Sequence, residues 1–133
     1  NGISIAAYDQ VVDYTQGRVI FGQKVSSFQN TQFKVAEMRS KIDASLLLTH
    51  HAAVLRRTPG AEALYSRKVS EAKWFAAQTV KEVAREVLQL HGGYGYIGEY
   101  PAERYLRDSI LIDIYEGTGE VQRTVIARHI FGR

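Results

Sequence analysis

The sequence predicts an all-α protein, an up-and-down four-helix bundle with a short additional C-terminal helix. Three observations predict it. Proline occurs only at Pro59 and Pro101, so stretches far longer than an average helix contain no strong breaker. Within those stretches the apolar residues recur in steps of three and four, the period of one helix face. The strongest turn signal, Thr58-Pro59-Gly60, sits between two such stretches and is placed to fold them into a hairpin.

Taken in order, Ile3, Ala6, Ala7, Val11 and Tyr14 suggest a first helix ending near Gln16-Gly17. From about Ser26 to Arg57, Val35, Met38, Ile42, Leu46, Thr49 and Ala53 form one stripe, the first long core helix. Pro59 lacks the amide hydrogen a helix needs and Gly60 accepts positive φ, so the chain reverses there. From about Ala61 to Leu90 a second stripe follows through Ala76, Val80, Val83, Val87 and Leu90. Glycine after His91 supplies the cap that ends it. Pro101 fits the first turn of a shorter helix, with Glu103 near its positive end. Ile110 to Tyr115 alternates like a strand, which leaves the end of that helix open. Thr118 caps a last helix whose single apolar face carries Val121, Val125, Ile126 and Ile130. No strand, repeat or low-complexity segment is expected.

A chain of 133 residues with 45% hydrophobic content is enough for one core and too short for two comfortable ones. It opens at Asn1 with neither an initiator methionine nor a signal-peptide pattern, and shows no long uncharged stretch, so a soluble protein without a membrane span is expected, read as a fragment of something longer. The absence of cysteine excludes disulfides, iron–sulfur clusters and thiol nucleophiles. An intracellular compartment suits this composition. The net charge of +3 comes from basic residues interleaved with acidic ones, which gives a nucleic-acid role little support while leaving room for a bound anion such as a nucleotide phosphate.

Three segments could carry chemistry. Arg18-Val19-Ile20-Phe21-Gly22, followed by Ser27-Phe28-Gln29, puts a permanently charged fork just past a helix end, suited to a pyrophosphate, although a solvated loop arginine accounts for it as well. Gln89-Leu90-His91-Gly92-Gly93-Tyr94-Gly95 combines an amide able to pair with a nucleobase or ribose and bare backbone amides able to meet an anion. An ordinary helix cap explains those glycines equally. Tyr115-Glu116-Gly117-Thr118-Gly119-Glu120 places a carboxylate beside Ile112 and Ile114 on pliable backbone; a Glu desolvated in such surroundings has a raised pKa and becomes a general base near neutral pH. The competing reading is an acidic loop ahead of a helix, with Glu120 near the positive end. His50 and His51 point apart on a helix and no carboxylates stand at ligand spacing, so no metal site is expected. Trp74 with Phe75 reads as core or interface packing.

Together, Arg18-x-x-Phe21-Gly22, Phe28-Gln29-x-x-Gln32-Phe33, Gln89-Leu90-His91-Gly92-Gly93-x-Gly95-Tyr96, Glu99-Tyr100-Pro101-x-Glu103-Arg104-x-x-Arg107-Asp108 and Ile114-Tyr115-Glu116-Gly117-Thr118-x-Glu120-x-Gln122-Arg123 resemble the C-terminal domain of acyl-CoA dehydrogenases. The order and spacing match across nearly the whole chain. The resemblance implies that residues 1–133 are the helical bundle domain of a three-domain enzyme, with the N-terminal helical and middle β-domains absent. It implies an FAD cofactor, an acyl-CoA substrate and oxidation to trans-2-enoyl-CoA. Glu116 would be the catalytic base taking the α-proton, and the N–H of Glu116 would polarise the thioester oxygen together with a flavin ribityl hydroxyl. Tyr115 and Gly117 would meet the substrate. Arg18, Phe21 and Gln29 would contact the FAD of a neighbouring subunit, Gln89, Gly92 and Gly93 its adenosine diphosphate portion, and Thr118 and Glu120 would complete a flavin nucleotide site. A homodimer or homotetramer, electron-transfer flavoprotein as electron acceptor, and the cytoplasm of a bacterium or else the mitochondrial matrix are implied in the same way. The isolated domain is expected to be inactive. An acyl-CoA oxidase-like flavoprotein and a non-catalytic helical assembly module are the competing readings.

Overall fold

The computed structural model describes residues 1–132. Helix α1 spans Gly2–Gly17, α2 Gln29–Leu55, α3 Glu62–His91, α4 Gly93–Tyr96, α5 Ala102–Ile114 and α6 Gly119–Phe131, with a two-stranded ribbon, β1 Val19–Ile20 and β2 Gln23–Lys24, and a 3₁₀ turn at Val25–Ser27. None of the helices among the described residues is long and apolar enough to cross a membrane.

The hairpin of α2 and α3 is antiparallel, as the Pro59-Gly60 turn predicts; Lys34 pairs with Glu86 and Lys41 with Glu82 across it. α1 runs antiparallel to α2. Its start is tied to the middle of α2 by Asn1, whose side chain accepts from Ser45 Oγ at 2.5 Å and donates to Thr49 Oγ1 at 2.9 Å. Its end reaches the last turn of α3, where the Tyr14 hydroxyl donates to the His91 carbonyl at 3.2 Å. α5 returns along the C-terminal half of α3. α6 then follows the N-terminal half, with His129 Nε2 3.1 Å from Ser66 Oγ. The additional C-terminal helix thus prolongs the fourth column of the up-and-down bundle beyond a break at residues 115–118.

Ala7 and Val11 of α1, Met38 and Ile42 of α2, Val83 and Val87 of α3 and Ala102 of α5 form the core, with Tyr8, Val35, Leu46, Leu90 and Tyr105 packed around it. The α2 stripe departs from its expected course. Thr49 and Ala53 are exposed, and the buried positions beyond Ile42 are Ser45 and Ala52, small residues where neighbouring helices approach closely. The α6 face is also less covered than a single apolar stripe suggests, since Val121 and Ile130 are exposed. The alternating run Ile110 to Ile114 is helical, its side chains being shared between α3 and the outside instead of two faces of a sheet. Pro101 stands immediately before α5 and Glu103 lies in its first turn.

The ribbon was not expected. Its turn is Phe21-Gly22, with φ of 49° and 77°, the two positive values that let a two-residue loop follow the twist of paired strands. Two pairs of residues are too short to show alternation, so only the tertiary structure reveals them.

At the other glycine-rich segment, Gly92 ends α3 with φ 61° and ψ −140°, a conformation that residues with a Cβ rarely adopt. Gly95 allows α4 to lie on the last turn of α3: a Cβ there would stand 2.6 Å from the Leu88 carbonyl and 2.9 Å from His91 Cβ. His91 itself is 2% exposed and stacked on Tyr14 at 4.1 Å, with Tyr100 5.4 Å away. Its Nδ1 is 2.7 Å from the Val87 carbonyl, which can only accept, so Nδ1 carries the hydrogen in the neutral ring. Nε2 is buried without a protein partner. Burial pushes the imidazolium pKa below its usual value, against the smaller upward effect of the Val87 bond.

Two outcomes follow from this end of the bundle. Gly95→Ala forces a methyl against backbone and should lower stability by about 1–3 kcal/mol, read as a lower urea midpoint at unchanged slope; an unchanged midpoint would refute the close approach. Below about pH 6.5 the unfolded chain takes up a proton that folded His91 resists, so this residue makes stability fall as pH drops through that value. Urea titrations at pH 7.5 and 5.5 should show a smaller loss in His91→Gln than in the parent, and equal losses would contradict the assignment.

Candidate functional site

The candidate residues form two groups joined by α3 and α5. The first lies where α1 ends, α2 begins and α3 ends. Arg18, Gln89, Gly92 and Gly93 line one groove of about 520 Å³ with Tyr14, Ile20, Val25, Leu90, His91, Tyr94 and Ile97. Arg18 is exposed at its mouth, its guanidinium 5.0 Å above the Tyr94 ring, so cation–π attraction aims the fork without consuming its donors. Gly92 and Gly93 are exposed and a Cβ on either would meet nothing within 4 Å, while the Gly92 N–H is engaged by the Gln89 carbonyl at 3.1 Å. Phe21 is displayed on the ribbon turn at 94% exposure, and Gln29 is exposed at the first residue of α2. A charged fork beside exposed glycine backbone suits an anionic nucleotide.

The second group is the break between α5 and α6. Glu116 has φ 54° and Gly117 φ 94°, so the chain turns through two left-handed residues. For a residue with a Cβ this costs roughly 1–2 kcal/mol, and the surroundings offset it. Lys73 of α3 donates to the carbonyls of Ile112 at 2.5 Å and Tyr115 at 3.3 Å, meeting the negative end of α5. Gln122 of α6 donates to the Gly117 carbonyl at 3.2 Å, and a Cβ on Gly117 would collide with that amide. Lys81 donates to Asp113 at 2.6 Å, and this hydrogen bond, helped by the charges of Lys81 and Lys73, holds the Asp113 carboxyl below the usual range against the opposing effect of burial. Asp113 in turn packs on Gly119, where a Cβ would stand 2.8 Å from Oδ1.

Glu116 is exposed, as are Tyr115 and Ile114, while Ile112 is half-buried. The apolar enclosure expected around the carboxylate is therefore not built by residues 1–132, because Ile114 turns outward at the end of α5. Thr118 caps α6 by accepting from the Val121 N–H at 3.4 Å. Glu120 is paired with Arg123 at 2.8 Å, and bonds from its own N–H and the Thr118 hydroxyl hold its carboxyl below the usual range.

α5, 13 residues long, lies between the two groups and separates them by roughly 20 Å. Sequence reasoning missed Lys73, Lys81 and Asp113, and it missed the orphaned acceptor on His91. Lys73 and Lys81 stand eight residues apart, on one helix face, which signals a shared neighbour but does not name it.

Residues 2–131 match the family described as Acyl-CoA dehydrogenase, C-terminal domain. An acyl-CoA dehydrogenase of Bacillus subtilis is 40% identical over 131 residues, covering 98% of this chain and 34% of the relative. The Caffeyl-CoA reductase-Etf complex subunit CarC of Acetobacterium woodii is 37% identical over 126 residues, covering 95% and 32%. Among solved structures, butyryl-CoA dehydrogenase from Megasphaera elsdenii superposes with a TM-score of 0.90 at 36% identity, covering 98% of this chain and 33% of that one. The chain spans about a third of the length of these relatives. With a family match over nearly every residue and a bundle that superposes throughout, the chain belongs to the acyl-CoA dehydrogenase family, in the part that forms its C-terminal domain.

Proposed function

We propose that this chain is the domain of a flavoenzyme that supplies the general base and part of an FAD site for α,β-dehydrogenation of an acyl-CoA thioester to trans-2-enoyl-CoA. The observation that carries the reading is Glu116, a carboxylate presented on left-handed backbone in a break braced from α3 and α6. Strain of that kind is retained where a side chain must point in one direction.

The Glu116 carboxylate takes the α-proton, and Gly117 leaves the adjoining backbone uncovered for the thioester. The N–H of Glu116 donates to the thioester oxygen, stabilising the negative charge that develops as the α C–H bond breaks. Tyr115 borders the acyl group. Bound FAD would supply the acceptor for the β-hydrogen leaving as hydride. The groove containing Arg18, Gln89, Gly92 and Gly93 suits the pyrophosphate and adenosine of a neighbouring subunit's FAD, with Phe21 and Gln29 at its edge, while Thr118 and Glu120 would hold the flavin nucleotide beside Glu116. The remaining walls, including the apolar enclosure of Glu116, belong to the rest of a three-domain protein.

Phe21, an aromatic almost wholly exposed on a strained turn, supports assembly as a homodimer or homotetramer in which one copy's ribbon covers the cofactor of another. The relative named as a subunit of an Etf complex supports electron-transfer flavoprotein as the electron acceptor. The setting proposed is the bacterial cytoplasm or the mitochondrial matrix.

Glu116→Gln in the full-length, FAD-loaded protein tests the reading. The amide keeps the shape and cannot accept the proton, so bleaching of the flavin absorbance at saturating acyl-CoA should slow by about a hundred- to ten-thousandfold while binding largely survives. Glu120→Gln should instead weaken flavin retention. Bleaching at the parental rate in Glu116→Gln would place the base elsewhere and end this assignment.

A further inference from the structure

Two residues beside the break are joined by one peptide unit. The carbonyl of Tyr115 and the N–H of Glu116 belong to the same trans amide, so they point in opposite directions. Lys73 Nζ lies 3.3 Å from that carbonyl and 2.5 Å from the carbonyl of Ile112, with the Tyr115 ring 5.7 Å from the ammonium. Whatever fixes the carbonyl side therefore aims the N–H side. A flip of this amide would rotate ψ of Tyr115 and φ of Glu116 together, and it would release Glu116 from its φ of 54° while breaking the bond to Lys73.

We propose that Lys73 is a positioning residue for the oxyanion donor: its ammonium holds and polarises the Tyr115–Glu116 amide from behind, so that the Glu116 N–H faces the thioester oxygen as a strengthened donor. The inference rests on the reading of Glu116 given above and assigns part of the catalytic geometry to a residue on a different helix. Two physical effects combine. A cation on a carbonyl oxygen draws electron density through the amide and makes its N–H a better donor, as in hydrogen-bond chains whose members strengthen one another. A donor already pointed at the developing charge needs no reorganisation during reaction. The charged groups around Lys73 are accounted for: Asp113 is engaged by Lys81, and the negative end of α5 faces Lys73 itself. Lys73 is half-buried against α5 and Tyr115, and so it is set back from the exposed Glu116.

The test uses the full-length protein with FAD and three variants. Lys73→Met removes the charge at similar length, Lys73→Arg restores charge, and Lys73→Gln retains a neutral donor. In Lys73→Met the rate of flavin bleaching at saturating acyl-CoA should fall about ten- to a hundredfold, less than the hundred- to thousandfold typical of deleting an oxyanion donor outright. The dissociation constant for acyl-CoA should change far less. Isotope-edited infrared spectra of bound 2-enoyl-CoA give a readout that general loosening would not mimic. The thioester carbonyl stretch should move up toward its free value in Lys73→Met, less in Lys73→Gln, and stay near the parental value in Lys73→Arg. A parental stretch and parental bleaching rate in Lys73→Met overturn the proposal. Where Lys73→Met fails to retain flavin, a parental stretch in Lys73→Gln does the same. Failure of the underlying reaction would appear separately, as Glu116→Gln bleaching at the parental rate.

Discussion

Helix α3 is the element to which the rest of the structure is referred. α1, α2, α5 and α6 all pack on it, and its 30 residues give a straight support of roughly 45 Å. Because one rigid helix carries both candidate groups, their separation is set by counting residues along it. The brace at Lys73, Gln78 and Lys81 lies under the α5–α6 break, and Gln89 to Gly92 form the far end under Arg18. Loops positioned by separate supports would not hold the break and the groove at fixed distance.

The break itself shows how local strain is maintained. A helix C-terminus carries unsatisfied carbonyls and an N-terminus unsatisfied amides, so ending α5 and starting α6 within four residues places opposite partial charges side by side. Lys73 answers the first end; Thr118, Glu120 and Asp113 answer the second. With both ends satisfied, Glu116 is the acidic residue between them whose side chain none of these bonds requires, and it sits where the backbone has least freedom to relax. Opposing charges therefore hold the backbone around Glu116 and leave its carboxylate unpaired by them.

The groove at the far end of α3 rests on different physics. Tyr14 stacks on His91 with Tyr100 edge-on beside them, and burial disfavours the charged imidazole while the Val87 carbonyl fixes the hydrogen of the neutral ring on Nδ1. The glycines around it have separate tasks. Gly95 permits helix-to-helix approach, Gly92 turns the chain, and Gly93 leaves backbone uncovered.

Much of this was legible in the residues alone. Periodicity and two prolines determined the helices, their hairpin and their approximate ends, because a 3.6-residue period and a missing amide hydrogen are local properties. Arg18, Gln89, Gly92 and Gly93 stood out in the sequence as groups whose chemistry could meet an anion, and Glu116 as a carboxylate on pliable backbone. Only the tertiary structure decided that Arg18 and the glycines share one groove, that α6 extends the column begun by α5, and that Glu116 is exposed in this domain. It also decided the partners of Lys73 and the tautomer of His91. The reason is physical: periodicity reports which face of a helix is apolar, whereas which helix meets that face, and whose carbonyl a lysine reaches from it, depends on packing between segments dozens of residues apart.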